Sequence, residues 1–168
     1  MIVRPKILLL GLGNILLGDE GLGIRALEQL QERYCLPETI QVLVGGVLGL
    51  ELLAYAEGMT KWLIIDAVQT GQPPGTIVRL AGEEVPAAFA LKLSMHQVGF
   101  QEVLALCQLR GTMPSDLVVW GIEPAVLASG VRLSETVAAN LEELVEKVVT
   151  ELKDWGMKID SKKERVLR

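Results

Sequence analysis

Three short apolar runs, at Ile7-Leu8-Leu9-Leu10, Trp62-Leu63-Ile64-Ile65 and Leu117-Val118-Val119, lack the polar alternation that a strand with one wet face would show. Chain segments of this kind must be covered on both sides, and that is the position of central strands in a parallel sheet. The amino acid supply agrees. Half of the residues are hydrophobic but only 4% are aromatic, so the core has to be built from Leu, Val, Ile and Ala.

The remaining segments fill in the layers around those strands. Lys6 to Leu10 reads as a strand halted by Gly11-Leu12-Gly13-Asn14, and a helix is expected from about Glu20 to Tyr34, with Ile24, Leu27, Leu30 and Tyr34 on one face. Thr39 to Val44 is a second strand ended by Gly45-Gly46, and Leu50 to Ala56 a short helix. Trp62 to Ile65 is a third strand that meets solvent at Asp66. After the turn Gln72-Pro73-Pro74-Gly75, the strand Thr76 to Leu80 follows too closely for a parallel crossover and is expected to run antiparallel to its predecessor. Ser94-Met95-His96-Gln97 has capping-box spacing, so a helix should start at Ser94 and bury Phe100, Val103, Leu104 and Cys107. Asp116 to Ile122 is a fifth strand. One long last helix, capped by Ser134, is traced by Val137, Leu141, Leu144, Val148, Leu152 and Trp155. The expected fold is α/β, a three-layer sandwich with a mostly parallel five-stranded sheet between helices. At 168 residues the chain suits one domain, 1–157, followed by a charged and flexible tail, 158–168.

Several functions are disfavoured at once. A formal charge of −5 argues against binding a phosphate backbone, so nucleic acid is not an expected partner. Arg4, Lys6 and the apolar stretch Ile7 to Leu17 imitate a secretory leader, but Asn14 interrupts the run and Gly18-Asp19-Glu20 stands where a cleavage site belongs. No apolar stretch reaches the roughly 20 residues that cross a bilayer, and a cytoplasmic protein without membrane partners is expected. Cys35 and Cys107 have no second thiol at ligand spacing and are read as plain thiols. A cysteine dyad with His96 is disfavoured because both fall away from the site considered below.

The glycine-rich stretch Gly11 to Gly23 fails as a nucleotide loop. A dinucleotide fingerprint needs glycine where Leu16 stands, and a phosphate loop needs lysine and a hydroxyl where Asp19 and Glu20 stand. These glycines are read instead as allowing close approach of an extended peptide or a metal centre. His-Glu-x-x-His and Gly-x-Ser-x-Gly patterns are both absent.

What is left is a convergence of three distant residues. Sites in open α/β sheets lie beyond the carboxyl ends of the strands. Glu20 follows the first strand, Asp66 ends the third, and His96, the single histidine, opens a helix that must descend from the same rim. A helix amino end there would stabilise negative charge on Glu20 and an uncharged imidazole on His96. One nitrogen and two carboxylate oxygens suit a borderline divalent ion such as nickel or zinc. Blander readings stay open: His96 as a packed or capping residue, Asp66 as a turn former, and Glu20 as a complement to a helix dipole. Glu123, after the fifth strand, would only support the rim.

Five motifs in order resemble the nickel-iron hydrogenase maturation endopeptidases. They are Gly11-Leu12-Gly13-Asn14-Ile15-Leu16-Leu17-Gly18-Asp19-Glu20, then Gly45-Gly46 with Gly49 and Glu51-Leu52-Leu53, Leu63-Ile64-Ile65-Asp66-Ala67, Pro74-Gly75-Thr76, and Ser94-Met95-His96-Gln97-Val98-Gly99. The resemblance implies an aspartic-type or metal-dependent endopeptidase that removes the C-terminal extension of a hydrogenase large-subunit precursor after nickel insertion. It implies Glu20, Asp66 and His96 as both catalytic residues and metal ligands, with the nickel carried by the precursor. A non-catalytic nickel-binding chaperone is the alternative. Val44 stands where the family often has an aspartate associated with substrate choice. The apolar segment Val85 to Leu93, with Phe89, reads as a packed connecting loop, with contact to the precursor as the other option.

Overall fold

A computed structural model describes residues 6–46, 49–90 and 95–167, with the backbone alone for 95–98. Strand β1 (Ile7–Leu12) leads through a 3₁₀ turn (Gly18–Gly21) into α1 (Leu22–Arg33), which ends in the two-residue β2 (Tyr34–Cys35). Strand β3 (Ile40–Gly46) is followed by a second 3₁₀ turn (Gly49–Glu51), α2 (Leu52–Ala56) and β4 (Lys61–Ala67). Next come β5 (Ile77–Ala81), α3 (Glu84–Ala90), α4 (Met95–Arg110) and β6 (Asp116–Ile122). The chain closes with α5 (Glu135–Ala138), α6 (Leu141–Asp154), β7 (Asp160–Ser161) and α7 (Lys162–Val166).

The main sheet has five strands in the order β3-β1-β4-β6-β5. β1 lies parallel to β3 and β4, β4 is parallel to β6, and β5 is antiparallel to β6. Successive residues of the aliphatic strands feed opposite cores. Ile7, Leu9, Leu63 and Ile65 face α1 and α6, whereas Leu8, Leu10, Trp62 and Ile64 face the α2, α3 and α4 side. The three-layer α/β sandwich is therefore the observed architecture. No helix among the described residues is long and apolar enough to cross a membrane.

Local departures from the expected elements have physical causes. The strand after Pro73-Pro74 does run opposite to β4, yet its hydrogen-bonded neighbour is β6, so it closes the far edge of the sheet. Val85 and Phe89 belong to a helix instead of a loop; Pro86 sits in the first turn of α3, where a missing N–H costs nothing, and Phe89 is buried edge-on against Phe100 at 4.9 Å. The expected last helix is split, because Asn140 leaves helical geometry between α5 and α6. Ser134 does cap α5, its Oγ accepting from the Val137 N–H at 3.3 Å. Ser94 lies outside the described residues, but Phe100, Val103, Leu104 and Cys107 are all buried on α4. The segment from Lys158, read as a solvated tail, carries β7 antiparallel to β2, and Lys162 Nζ donates to the Gln31 carbonyl at 2.6 Å.

Candidate active site

Two glycines fix how the first loop meets the sheet. A Cβ on Gly23 would sit 2.2 Å from the carbonyl oxygens of both Leu12 and Ile65, so the first turn of α1 rests directly on the carboxyl ends of β1 and β4. At Gly13, with φ of 136°, a Cβ would come within 1.8 Å of the Glu20 carbonyl. That carbonyl accepts from the Asn14 N–H at 3.1 Å, closing residues 13–20 into a tight loop. The glycines thus permit close approach of the chain to itself, where the sequence reading had a peptide or metal centre in view.

This closure puts Glu20 in the 3₁₀ turn ahead of α1, not in the first helical turn itself, and that turn lies against β4. Asp66, expected to meet solvent, is instead fully buried as the penultimate residue of β4, its Oδ1 accepting from the Ala67 N–H at 2.8 Å. α4 begins at Met95, and its Gly99 comes close enough to Gly49 that an added Cβ would lie 3.0 Å from the Gly49 Cα. Gly49 follows β3, so the start of α4 reaches the same carboxyl edge of the sheet as Glu20 and Asp66. The side chain of His96 lies outside the described residues. Among the described side chains, no group of three His, Cys, Asp or Glu residues could hold a metal ion.

Two other acids at this edge hold loops together. Asp19 is fully buried, and its carboxylate accepts from the Ala125 and Val126 N–H groups at 2.8 Å each, from the Ser134 N–H at 2.7 Å and from the Ser134 hydroxyl at 2.9 Å. The loop after β6 is thereby fastened to the loop that carries Glu20. Glu123 plays the matching part for the loop after β4, accepting from Thr70 N at 2.8 Å, Thr70 Oγ1 at 2.9 Å and Gly71 N at 3.4 Å. Asp19 was missed from sequence, where it stood beside Glu20 as one more negative charge; only the fold separates the two. Val44 is half exposed near the end of β3. Cys35 and Cys107 are free thiols, the latter buried.

Comparison with known proteins bears on this edge as a whole. Residues 24–151 match the HycI family model, described as hydrogenase maturation protease. The chain is 40% identical over 153 residues to the hydrogenase 2 maturation protease of Escherichia coli (strain K12), covering 90% of this chain and 93% of that protein. It is 39% identical over 156 residues to the hydrogenase expression/formation protein HupD of Rhodobacter capsulatus, covering 92% and 74% of the two chains. Among solved structures, the hydrogenase maturating endopeptidase HybD from E. coli superposes with a TM-score of 0.91 at 38% identity, over 95% of this chain and 99% of that one. The [NiFe] hydrogenase maturation protease HybD from Thermococcus kodakarensis gives a TM-score of 0.70 at 28% identity, over 88% and 98%.

Proposed function

Because this chain belongs to the hydrogenase maturation protease family, we propose that it removes the C-terminal extension of a nickel-iron hydrogenase large-subunit precursor and selects its substrate by the nickel already bound there. The observation that carries the reading is the meeting of three elements at one sheet edge: the Glu20 turn, the end of β4 at Asp66 and the start of α4 at His96. Two carboxylates and an imidazole form a donor set suited to a borderline divalent ion. Glu20, Asp66 and His96 complete the coordination of nickel that the precursor presents. The bound nickel supplies positive charge and a fixed point of attachment. The protein contributes orientation, holding the scissile peptide next to a carboxylate able to take a proton from water.

The test compares nickel-loaded with nickel-free precursor, each incubated with purified protein and weighed by mass spectrometry. Loss of the tail only from the loaded form, abolished by His96→Ala, is the expected result. Equal cleavage of both forms would refute recognition through nickel, and nickel binding by the free protein with no shortening of either form would favour the chaperone.

A further inference from the structure

Five of the eleven exposed large hydrophobic residues among those described come from just two loops: Ile15 (38%), Leu16 (60%), Val126 (46%), Leu127 (39%) and Val131 (60%). The loops are bonded to each other. Gly18 N donates to the Gly130 carbonyl, Gly130 N to the Leu16 carbonyl and Asp19 N to the Val126 carbonyl, each at 2.9 Å. Arg25 adds a bond to the Val131 carbonyl at 3.2 Å. With the Asp19 carboxylate clamped beneath, these side chains are held out in solvent by a built backbone.

We propose that this apolar lip is the docking surface for the large-subunit precursor, gripping an uncharged face of that protein beside its nickel site; the inference rests on the function proposed above. Two features point to that occupant. The lip is continuous in the chain with Glu20, four residues beyond Leu16, and bonded to its turn through Glu20 N to the Leu17 carbonyl, so a partner covering the lip borders the candidate active site. A second copy of this chain seated there would shut the substrate out. The second feature is charge. In a chain with 22% charged residues, the stretches 14–18 and 124–131 contain none, so the lip is suited to an apolar contact.

Steady-state processing of nickel-loaded precursor by Leu16→Asp and Val131→Asp supplies the test, with Leu109→Asp on the exposed side of α4 as control. KM should rise about tenfold in each lip variant, the effect of losing one apolar anchor, with kcat and urea midpoint unchanged. The wild-type KM should barely change between roughly 0.1 and 1 M salt, where a charged contact would be screened. An unchanged KM in both lip variants, with wild-type processing intact, would overturn the docking surface while leaving the function standing. A concentration-dependent dimer of the wild type that Val131→Asp dissolves would overturn it in favour of a second copy. Failure of the wild type to process the loaded precursor would overturn the functional reading and the docking surface with it.

Discussion

Buried acids anchor two regions of this molecule in opposite ways. At the carboxyl edge, Asp19 is held entirely by neutral donors: three backbone amides and one hydroxyl. On the helical face beyond the sheet, Glu151 of α6 is held by a cation. Arg79 of β5 contributes Nε at 3.0 Å and a terminal nitrogen at 2.8 Å, and Trp120 of β6 adds its indole N–H at 3.0 Å. The Arg79 guanidinium, and after it the Trp120 N–H and the Arg79 charge, hold the Glu151 carboxyl below its ordinary value, against burial, which pushes it upward. The Glu151 cluster neutralises its own charge and joins the sheet edge to a helix. The Asp19 cluster leaves negative charge in place and joins two loops beside Glu20. Stability should therefore be separable from processing at Glu151 and inseparable from it at Asp19.

The sharpest way to break this division is at Asp66, which stands near the end of β4 at the functional edge. Asp66→Asn should cut processing by about a thousandfold, the scale of losing a group that acts in the transition state. The thermal midpoint should fall less than in Asp19→Asn, since the amide oxygen can still accept from the Ala67 N–H. A large loss of stability with residual processing would place Asp66 with the anchoring acids instead.

Asp19→Asn comes next. The substituted amide would turn a donor toward backbone N–H groups that now find an acceptor, and it would leave them buried. The cost should be about 3 kcal/mol in urea denaturation. Processing should fall too, at temperatures where the variant is still folded, because the lip and the Glu20 turn share that clamp. Full processing by a destabilised but folded Asp19→Asn would separate what the comparison holds together.

The distinction between Asp19 and Glu20 also marks where sequence reasoning stopped. The sheet was legible because aliphatic runs without alternation admit few burial solutions, and the carboxyl edge followed from strand direction. Glu20 and Asp66 could be placed by topology alone. Asp19 could not, since its partners at 125–134 are more than a hundred residues away and are mostly backbone amides, which leave no trace in side-chain identity. The break at Asn140 and the β2–β7 pair were equally hidden: the apolar stripe runs on through the first, and the second comprises two residues per strand. The α3 helix did carry a signal, in Pro86 just after Glu84 and in the alanines behind it, that a loop reading passed over.

Glu151→Gln tests the other half of the comparison. Gln keeps an acceptor for Trp120 and loses the ion pair, and Arg79 is exposed enough to be resolvated, so the cost should be about 1.5 kcal/mol near neutral pH. The folded carboxyl titrates below the ordinary 4.5, so its contribution is fully present above that value and is lost as pH falls through the lower, folded one. Wild type and Glu151→Gln should therefore converge in stability only as pH falls through that lowered, folded value. Processing at pH 7 should be equal in both. Any loss would show that the α6 contact reaches the carboxyl edge.

Ser134→Ala should have the smallest effect, and it divides the Asp19 clamp into its parts. The hydroxyl accepts from Val137 N as the cap of α5 and donates to Asp19 Oδ2, while the Ser134 N–H that bonds Oδ1 survives the substitution. A lost cap and one lost bond of four amount to about 1 kcal/mol, measured by urea denaturation, with processing reduced less than about threefold. Ser134→Thr, which retains the hydroxyl, should recover most of the stability. If Ser134→Ala were as damaging as Asp19→Asn, the weight of the anchor would lie in the α5 cap and not in the carboxylate, and the contrast with Glu151 would shrink to one between a capped helix and an ion pair.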